Sequence, residues 1–190
     1  LFQSTAFLSY MPLLLLYMPR YSHLKWTINY EPGTIEAVAY KKGKRLTEKV
    51  QTTGLPVEVV VTPYKTTILA DGKDATVINI SVVDREGREV PDADNLIQFK
   101  IEGDGKIIGV GNGDPSSHEP DKCTDGAWQR TLFNGKCQVI IQSGVKPGMI
   151  KFEAKATGLW TGGTDIQTIS PESVSKVIID KNYQLPLSIT

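Results

Sequence analysis

The chain has 190 residues, with 21 basic and 21 acidic side chains and 40% hydrophobic residues. This balanced charge argues against the net basic face that nucleic-acid binding needs, and it gives no support for the polybasic patch that an anionic membrane surface attracts. With this hydrophobic content, the 17 glycines and 11 prolines are typical of a turn-rich folded protein rather than a disordered one.

The first 18 residues contain a strongly apolar run at positions 11–18, with four consecutive leucines at positions 13–16. This stretch is shorter than the roughly 20 residues of a membrane-spanning helix, and Pro12 interrupts it. No basic residue precedes it, as a signal peptide would require. We therefore expect no membrane span here, and we interpret the chain as a piece excised from a longer protein.

Alternating apolar and polar residues then predict strands. Leu24, Trp26, Ile28 and Tyr30 would lie on one face of a half-buried strand over residues 24–30. Two glycine-containing turns would connect it to strands over residues 34–40 and 45–53. Three strands are too few to bury a core alone. Residues 1–53 are therefore predicted to be a partial β-sandwich domain, its C-terminal half.

Residues 54–160 show about seven strand signals with regular turns, the pattern of an immunoglobulin-like β-sandwich. Ile78 and Ile80 would lie on one face of a strand over residues 75–84, and Ile150 and Phe152 on one face of a strand over residues 149–157. Asn134-Gly135 is a strong hairpin signal between strands over residues 128–133 and 136–142. Gly111-Asn112-Gly113 predicts a forced reversal, because Gly and Asn tolerate positive φ. The predicted fold class is all-β, with one complete sandwich after part of a second. Residues 161–190 are predicted to be a C-terminal extension with at most one further strand, over 174–179.

Residues able to carry out catalysis are not concentrated anywhere. A glycosidase needs two facing carboxyl groups, one with a raised pKa, whereas the carboxylates here lie in predicted turns. His23 and His118 lack metal-ligand spacing, and no nucleophile elbow or phosphate-binding loop is present. We predict no catalytic residue and no cofactor. Cys123 and Cys137 leave a disulfide and two free thiols open, with free thiols favoured.

Two clusters could bind a ligand. The first is a loop whose oxygen-bearing side chains could hold calcium, but its spacing matches no defined calcium loop, so turn capping is favoured and no metal is predicted. Its members are Asn112, Asp114, Glu119, Asp121 and Asp125. The second comprises the aromatic residues Trp128, Trp160 and Tyr64, which could stack on sugar rings, although core tryptophan is commoner. The candidate carbohydrate-binding residues are Trp128, Trp160, Asn112 and Asp114.

Two motifs carry a family resemblance. Tyr30-Glu31-Pro32-Gly33 and Val110-Gly111-Asn112-Gly113-Asp114-Pro115, in this order, resemble the C-terminal region of a family 2 glycoside hydrolase of the β-galactosidase type. The likeness covers about residues 18–160. It implies immunoglobulin-like domains that follow a catalytic barrel, with the catalytic glutamates on that barrel. No catalytic residue of the family has a counterpart in this chain.

The resemblance implies a non-catalytic accessory region that packs against the barrel, a subunit interface or the substrate entrance. The expected partners are the upstream barrel, carbohydrate and a second copy of the chain, with neither nucleic acid nor membrane. The expected location is periplasmic or secreted, in a bacterium. The alternative is a carbohydrate-binding or bacterial adhesin-type immunoglobulin-like module.

Overall fold

The structure, a computed structural model, describes residues 2–7, 16–17, 25, 27–123 and 126–173. The chain forms two compact units, Leu1–Thr53 and Gly54–Thr190. Each unit builds its own β-sheets. The further strand predicted over residues 174–179 lies outside the described residues.

Unit 1 contains a four-stranded antiparallel sheet in the order β2-β1-β3-β4. Its strands are β1 (Phe2–Phe7), β2 (Leu16–Tyr17), β3 (Thr34–Lys41) and β4 (Lys44–Gln51). The turn predicted between the last two strands is confirmed. Lys42 and Gly43 occupy it with φ values of 50° and 75°, the left-handed conformation that favours glycine.

The strand predicted over residues 24–30 is wrong for its described members. Residues 25 and 27–30 lie outside strands. The reason is that β3 bonds to β4 along one edge and to β1 along the other. The Gly33 amide also donates to Thr52 Oγ1 at 2.9 Å, which extends the β3–β4 pairing. An alternating sequence forms a strand only where it pairs with a neighbour, and the place beside β3 is taken by β1.

Unit 2 is an immunoglobulin-like β-sandwich. Its described residues form a five-stranded sheet in the order β10-β8-β12-β13-β6 and a four-stranded sheet in the order β5-β7-β11-β9. The strands are β5 (Glu58–Pro63), β6 (Thr67–Leu69), β7 (Ala75–Val83), β8 (Leu96–Glu102), β9 (Gly105–Gly111), β10 (Gln129–Thr131), β11 (Lys136–Ser143), β12 (Gly148–Lys155) and β13 (Gly162–Ile169).

The core between the two sheets follows the predicted alternation. Ile78 and Ile80 on β7 are fully buried, as are Ile150 and Phe152 on β12. The rings of Phe99 and Phe152 stack with their centroids 5.9 Å apart. Burial of such side chains, at about 1.5–3 kcal/mol each, is the main stabilising contribution.

The sequence predicted that the sandwich ends at residue 160. In the structure it continues beyond that residue, through β13. Strand β13 lies inside the five-stranded sheet, antiparallel to β12 and parallel to β6. The prediction failed because β13 is mostly polar and starts with two glycines. Gly162 is required there, because a Cβ at this position would clash with the Val59 carbonyl oxygen. The usual strand pattern is missing here because the close approach of β13 to β5 requires glycine.

The turn predicted at Asn134-Gly135 is present, but the strands beside it do not form one hairpin. Asn134 and Gly135 have φ values of 50° and 73°, and Phe133 pairs with Lys136. Beyond that bridge, β10 joins β8 in one sheet, whereas β11 joins β7 and β9 in the other. The turn therefore connects the two layers of the sandwich.

Candidate functional site

The loop between β9 and β10 is organised around one buried cation. Arg130, in β10, is only 4% exposed. Its Nη1 atom donates to the Glu119 carbonyl oxygen at 3.1 Å and to Asp121 Oδ1 at 3.0 Å. Its Nη2 atom donates to Asn112 Oδ1 at 3.1 Å and to Ser117 Oγ at 3.3 Å. The loop is thus wrapped around a guanidinium group, whose planar fork suits several acceptors at once.

Glu119 closes the loop from the opposite direction. Its Oε2 atom accepts a hydrogen bond from the Thr131 amide at 2.9 Å and lies 3.7 Å from Arg130 Nε. Burial raises the pKa of Glu119, but the hydrogen bonds from Thr131 and the charge of Arg130 outweigh it. The net pKa lies below the ordinary value, so the carboxylate is ionised at neutral pH.

Asn112 and Asp114, two of the predicted sugar-binding residues, are engaged within this loop. Asn112 Nδ2 donates to the Thr131 carbonyl oxygen at 2.9 Å, and Asn112 Oδ1 accepts from the Asp114 amide at 3.0 Å. Asp114 Oδ1 accepts from both the hydroxyl and the amide of Ser116, at 2.7 and 2.8 Å. Hydrogen bonds from Ser116, and then the charge of Arg130, lower the pKa of Asp114. Both side chains hold the loop in shape.

The oxygen cluster considered for calcium already faces a cation of the protein. Arg130 binds Asn112, Asp121 and the backbone of Glu119, while Asp125 lies outside the described residues. No group of three or more His, Cys, Asp or Glu side chains in the described part of the chain is arranged to hold a metal ion. Hydrogen bonds and ion pairs with Arg130, together with turn capping inside the loop, account for the positions of these carboxylates.

The aromatic residues are separated from one another. Trp128 precedes β10 at one edge of the five-stranded sheet and packs, half-buried, against the core. Trp160 precedes β13, is 70% exposed, and exchanges backbone hydrogen bonds with Val57 and Val59. Strands β8 and β12 lie between β10 and β13. Tyr64 is 78% exposed and follows β5 in the other sheet. The structure therefore does not bring the three into one sugar-stacking surface.

Carboxyl groups with clearly shifted pKa values share one direction. Among the described residues these are Asp71, Asp74, Asp84, Glu102, Asp114 and Glu119, and each pKa is lowered. Asp84 is the extreme case: burial raises its pKa, but hydrogen bonds from the Gly54 amide and from Arg88 lower it much further. These groups are ionised at neutral pH and act as hydrogen-bond acceptors rather than proton donors.

Both cysteines are free in the structure. Burial raises the pKa of the Cys137 thiol to about 12. A nucleophilic or metal-binding cysteine needs its thiolate form, which this environment suppresses. Cys137 therefore acts as a small core residue.

Two features of this unit escaped the sequence analysis. Arg130 stands in a short strand, and nothing in its neighbours marks it as buried. Its only signal is the excess of acceptors in the loop before it, including Asn112, Ser117 and Asp121. The second feature is a groove on the outer face of the four-stranded sheet, which depends on strand register.

Comparison with known proteins agrees with this architecture. A protein-family model described as glycoside hydrolase family 2 C-terminal domain 5 matches residues 59–164, more than half of the chain. The chain belongs to glycoside hydrolase family 2. A second model, a domain of unknown function (DUF4982), matches residues 18–47 in unit 1. The resemblance inferred from the turn motifs is confirmed, and family 2 C-terminal sandwiches are the relevant reference for unit 2.

Curated family 2 relatives are much longer than this chain. The β-galactosidase BoGH2A of Bacteroides ovatus is 42% identical over 138 residues, which are 72% of this chain and 16% of that protein. A β-galactosidase of Thermoanaerobacter pseudethanolicus is 31% identical over 125 residues, 65% of this chain and 14% of that protein. The chain therefore spans about a sixth or less of the length of these relatives.

Solved structures share the fold. A glycosyl hydrolase family 2 member from Bacteroides cellulosilyticus has a TM-score of 0.78 at 29% identity, covering 88% of this chain and 22% of that protein. A β-glycosidase from Bacteroides vulgatus has a TM-score of 0.75 at 28% identity, covering 87% and 21%. No helix among the described residues is both long and apolar enough to cross a bilayer.

Proposed function

We propose that this chain is a non-catalytic C-terminal accessory region of a β-galactosidase-like family 2 enzyme, and that it packs against the catalytic barrel. The observation that carries the proposal is the match of residues 59–164 to a family 2 C-terminal domain. The relative with 42% identity is a β-galactosidase, and this chain covers only 16% of it. The catalytic part would lie in the remainder of such a protein.

The electrostatics of the described residues support a non-catalytic role. Glycoside hydrolysis needs one carboxylic acid that stays protonated near neutral pH, opposite a second carboxylate. Every clearly shifted carboxyl pKa in the described part of the chain is lowered instead, most of all that of Asp84. Hydrogen bonds from backbone amides and arginines account for these shifts, which are structural in origin.

The catalytic part of the proposal is tested by assaying the 190-residue chain with chromogenic β-galactosides and β-glucuronides, beside the full-length enzyme that contains it. We expect no turnover from the chain alone and turnover from the full-length enzyme. Activity that copurifies with the chain and disappears when one carboxylate is changed to its amide would contradict the proposal.

An exposed apolar surface on unit 1 supports the packing role. Ile35 pairs with Val50, and Ala39 pairs with Leu46, so these four side chains lie on the same face of the β3–β4 ribbon, with the Ala37–Glu48 pair between them. Ile35, Leu46 and Val50 are 45%, 50% and 65% exposed. We propose that a further β-sheet of the parent enzyme covers this face and completes the sandwich, since such patches mark interaction surfaces.

Changing Val50 to glutamate tests this surface. In the parent enzyme the charge would be buried without a partner, and the free energy of unfolding should fall by more than about 3 kcal/mol. In the isolated chain, where Val50 is exposed, the change should stay within about 1 kcal/mol. Thermal and denaturant unfolding of both proteins measures the difference.

A matched control is Gln51→Glu, an exposed position on the opposite face of the same ribbon, the face that also carries the Arg45–Glu36 ion pair and the buried Val38. It should change neither protein by more than about 1 kcal/mol. Equal effects of the two substitutions in the parent enzyme would mean that the Val50 face stays exposed there.

A subunit interface and a periplasmic or secreted location stay predictions, which sedimentation and cell fractionation of the parent enzyme would test.

A further inference from the structure

The outer face of the four-stranded sheet carries a groove that is separate from the β9–β10 loop network around Arg130 except at its rim. Thr62, Asn79, Gln138 and Gly111 come from β5, β7, β11 and β9. Strand register places them as direct partners in one row across the sheet. They line a groove, called here the outer groove, with a volume of about 540 Å³. This volume falls within the range of ligand-binding clefts, about 300–1,000 Å³.

The floor of the outer groove is polar and uncharged. Gln138 Nε2 donates to Asn79 Oδ1 at 2.7 Å. This pairing leaves the Asn79 amide hydrogens and the Gln138 carbonyl oxygen without a partner among the hydrogen bonds of the row, and Thr62 adds a hydroxyl. The row therefore offers donors and acceptors side by side. A sugar hydroxyl, which both donates and accepts, is complementary to such a row.

The charges at the outer groove cancel. Lys136 and Glu89 line its wall and form an ion pair with a separation of 2.6 Å. The other polar lining side chains, such as Ser81 and Asn112, are neutral. An anionic ligand would need a net basic wall. A neutral polar ligand is favoured.

An apolar row borders the polar one. Tyr64 occupies the next outward position after Thr62, and its amide donates to the Val77 carbonyl oxygen at 2.8 Å. Val77 in turn pairs with Ile140. An exposed aromatic ring suits the apolar C–H face of a pyranose, although Tyr64 is not among the residues that line the outer groove itself.

Gly111 supplies an independent observation. Its φ does not lie in the left-handed region, and a Cβ there would meet no atom within 4 Å. Neither backbone strain nor crowding therefore requires glycine, although glycine weakens a strand. A side chain at this outward position would instead extend into the outer groove. The missing side chain keeps the groove open.

The rim of the groove is fixed in advance. Asn112 and Gly113 follow Gly111, and Asn112 is held by Arg130 and by the Thr131 carbonyl oxygen. A rim that is already ordered loses little entropy on binding. We infer that the outer groove of unit 2 is a binding site for a neutral oligosaccharide, with Asn79 and Gln138 as its hydrogen-bonding floor.

The test is a nuclear magnetic resonance titration of the ¹⁵N-labelled 190-residue chain. The neutral probes are β-1,4-linked galactotetraose and cellotetraose, and the anionic probe is tetragalacturonate. We expect a neutral probe to shift the amide signals of Gly111 and Gly113 and the side-chain signals of Asn79 and Gln138. Tetragalacturonate should bind at least about tenfold more weakly, a difference of about 1.4 kcal/mol.

Gly111→Val should weaken binding of the neutral probe at least about tenfold while leaving the melting temperature unchanged or higher, because the site is open. Gly148→Val is the matched control: Gly148 is also unstrained and open, but it lies on β12 in the other sheet, and binding should be unchanged.

The inference is overturned if neither neutral probe shifts these signals, if tetragalacturonate binds more tightly, or if Gly111→Val binds like the wild type. It rests on the proposed function only for the choice of sugars as probes. Because hydrolysis is measured separately, either proposal can fail alone.

Discussion

Replacing Gly135 with alanine should lower the free energy of unfolding of unit 2 by roughly 3 kcal/mol or more. Gly135 has a φ of 73°, and an added Cβ would clash with the Val90 carbonyl oxygen. The turn cannot move away, because its amide donates to the Ala93 carbonyl oxygen at 3.0 Å and its carbonyl oxygen accepts from Val82 at 3.3 Å. Amide hydrogen exchange in β7 and β11 measures the loss, since core amides exchange only through global opening.

The matched control for that substitution is Gly148→Ala. Gly148 begins β12 with a φ outside the left-handed region, and an added Cβ would meet nothing within 4 Å. Its free energy of unfolding should change by less than about 1 kcal/mol. If both variants were equally stable, the Val90–Gly135 contact would not be a tight one in the native state.

The predictions that succeeded depended on local chemistry. Alternation identified the buried faces of β7 and β12, because a half-buried strand has a period of two in its own sequence. Asn134-Gly135 was identified because positive φ is a property of those residue types. The same local signals could not tell which sheet β10 and β11 would join, since pairing depends on strands distant in sequence.

The predictions that failed depended on neighbours that the sequence does not name. Residues 27–30 alternate like a strand, but β3 has no free edge for them. Strand β13 is polar and lacks an apolar period, yet Gly162 allows it to approach Val59 closely and complete the sheet. The alternation of apolar and polar residues indicates which face of a strand a residue prefers. It does not indicate which strand edges are free or where two strands approach closely.

The candidate sites, like the strands, could be predicted from the sequence only where the signal is local. Asn112 and Asp114 were singled out by residue type. In the structure their hydrogen bonds hold the β9–β10 loop in shape. The outer groove could not be predicted, because Asn79 and Gln138 are 59 residues apart and become neighbours only through the register of β7 and β11. A site built across a sheet exists only once the strands are paired.

Replacing Arg130 with methionine should lower the free energy of unfolding of unit 2 by about 3 kcal/mol, because several hydrogen bonds from one charged group are lost together. Methionine keeps the length and the apolar stem of the side chain, so little packing changes. Glu119 and Asp121 retain access to water, which limits the penalty for the carboxylates left behind. Arg85→Met, at an exposed arginine, should change stability by no more than about 0.5 kcal/mol.

Loss of the Arg130 guanidinium group should also increase the mobility of the β9–β10 loop, including Asn112 at the rim of the outer groove. Protease cleavage within residues 112–123 should therefore become faster in Arg130→Met, in a manner that tracks local opening rather than global unfolding. Arg130→Lys should fall between the two, because a lysine carries the charge but cannot reach four acceptors with one planar group. If Arg130→Met and Arg85→Met were equally stable and equally resistant to protease, the loop would be ordered by its own turns, and the buried guanidinium would not be its anchor.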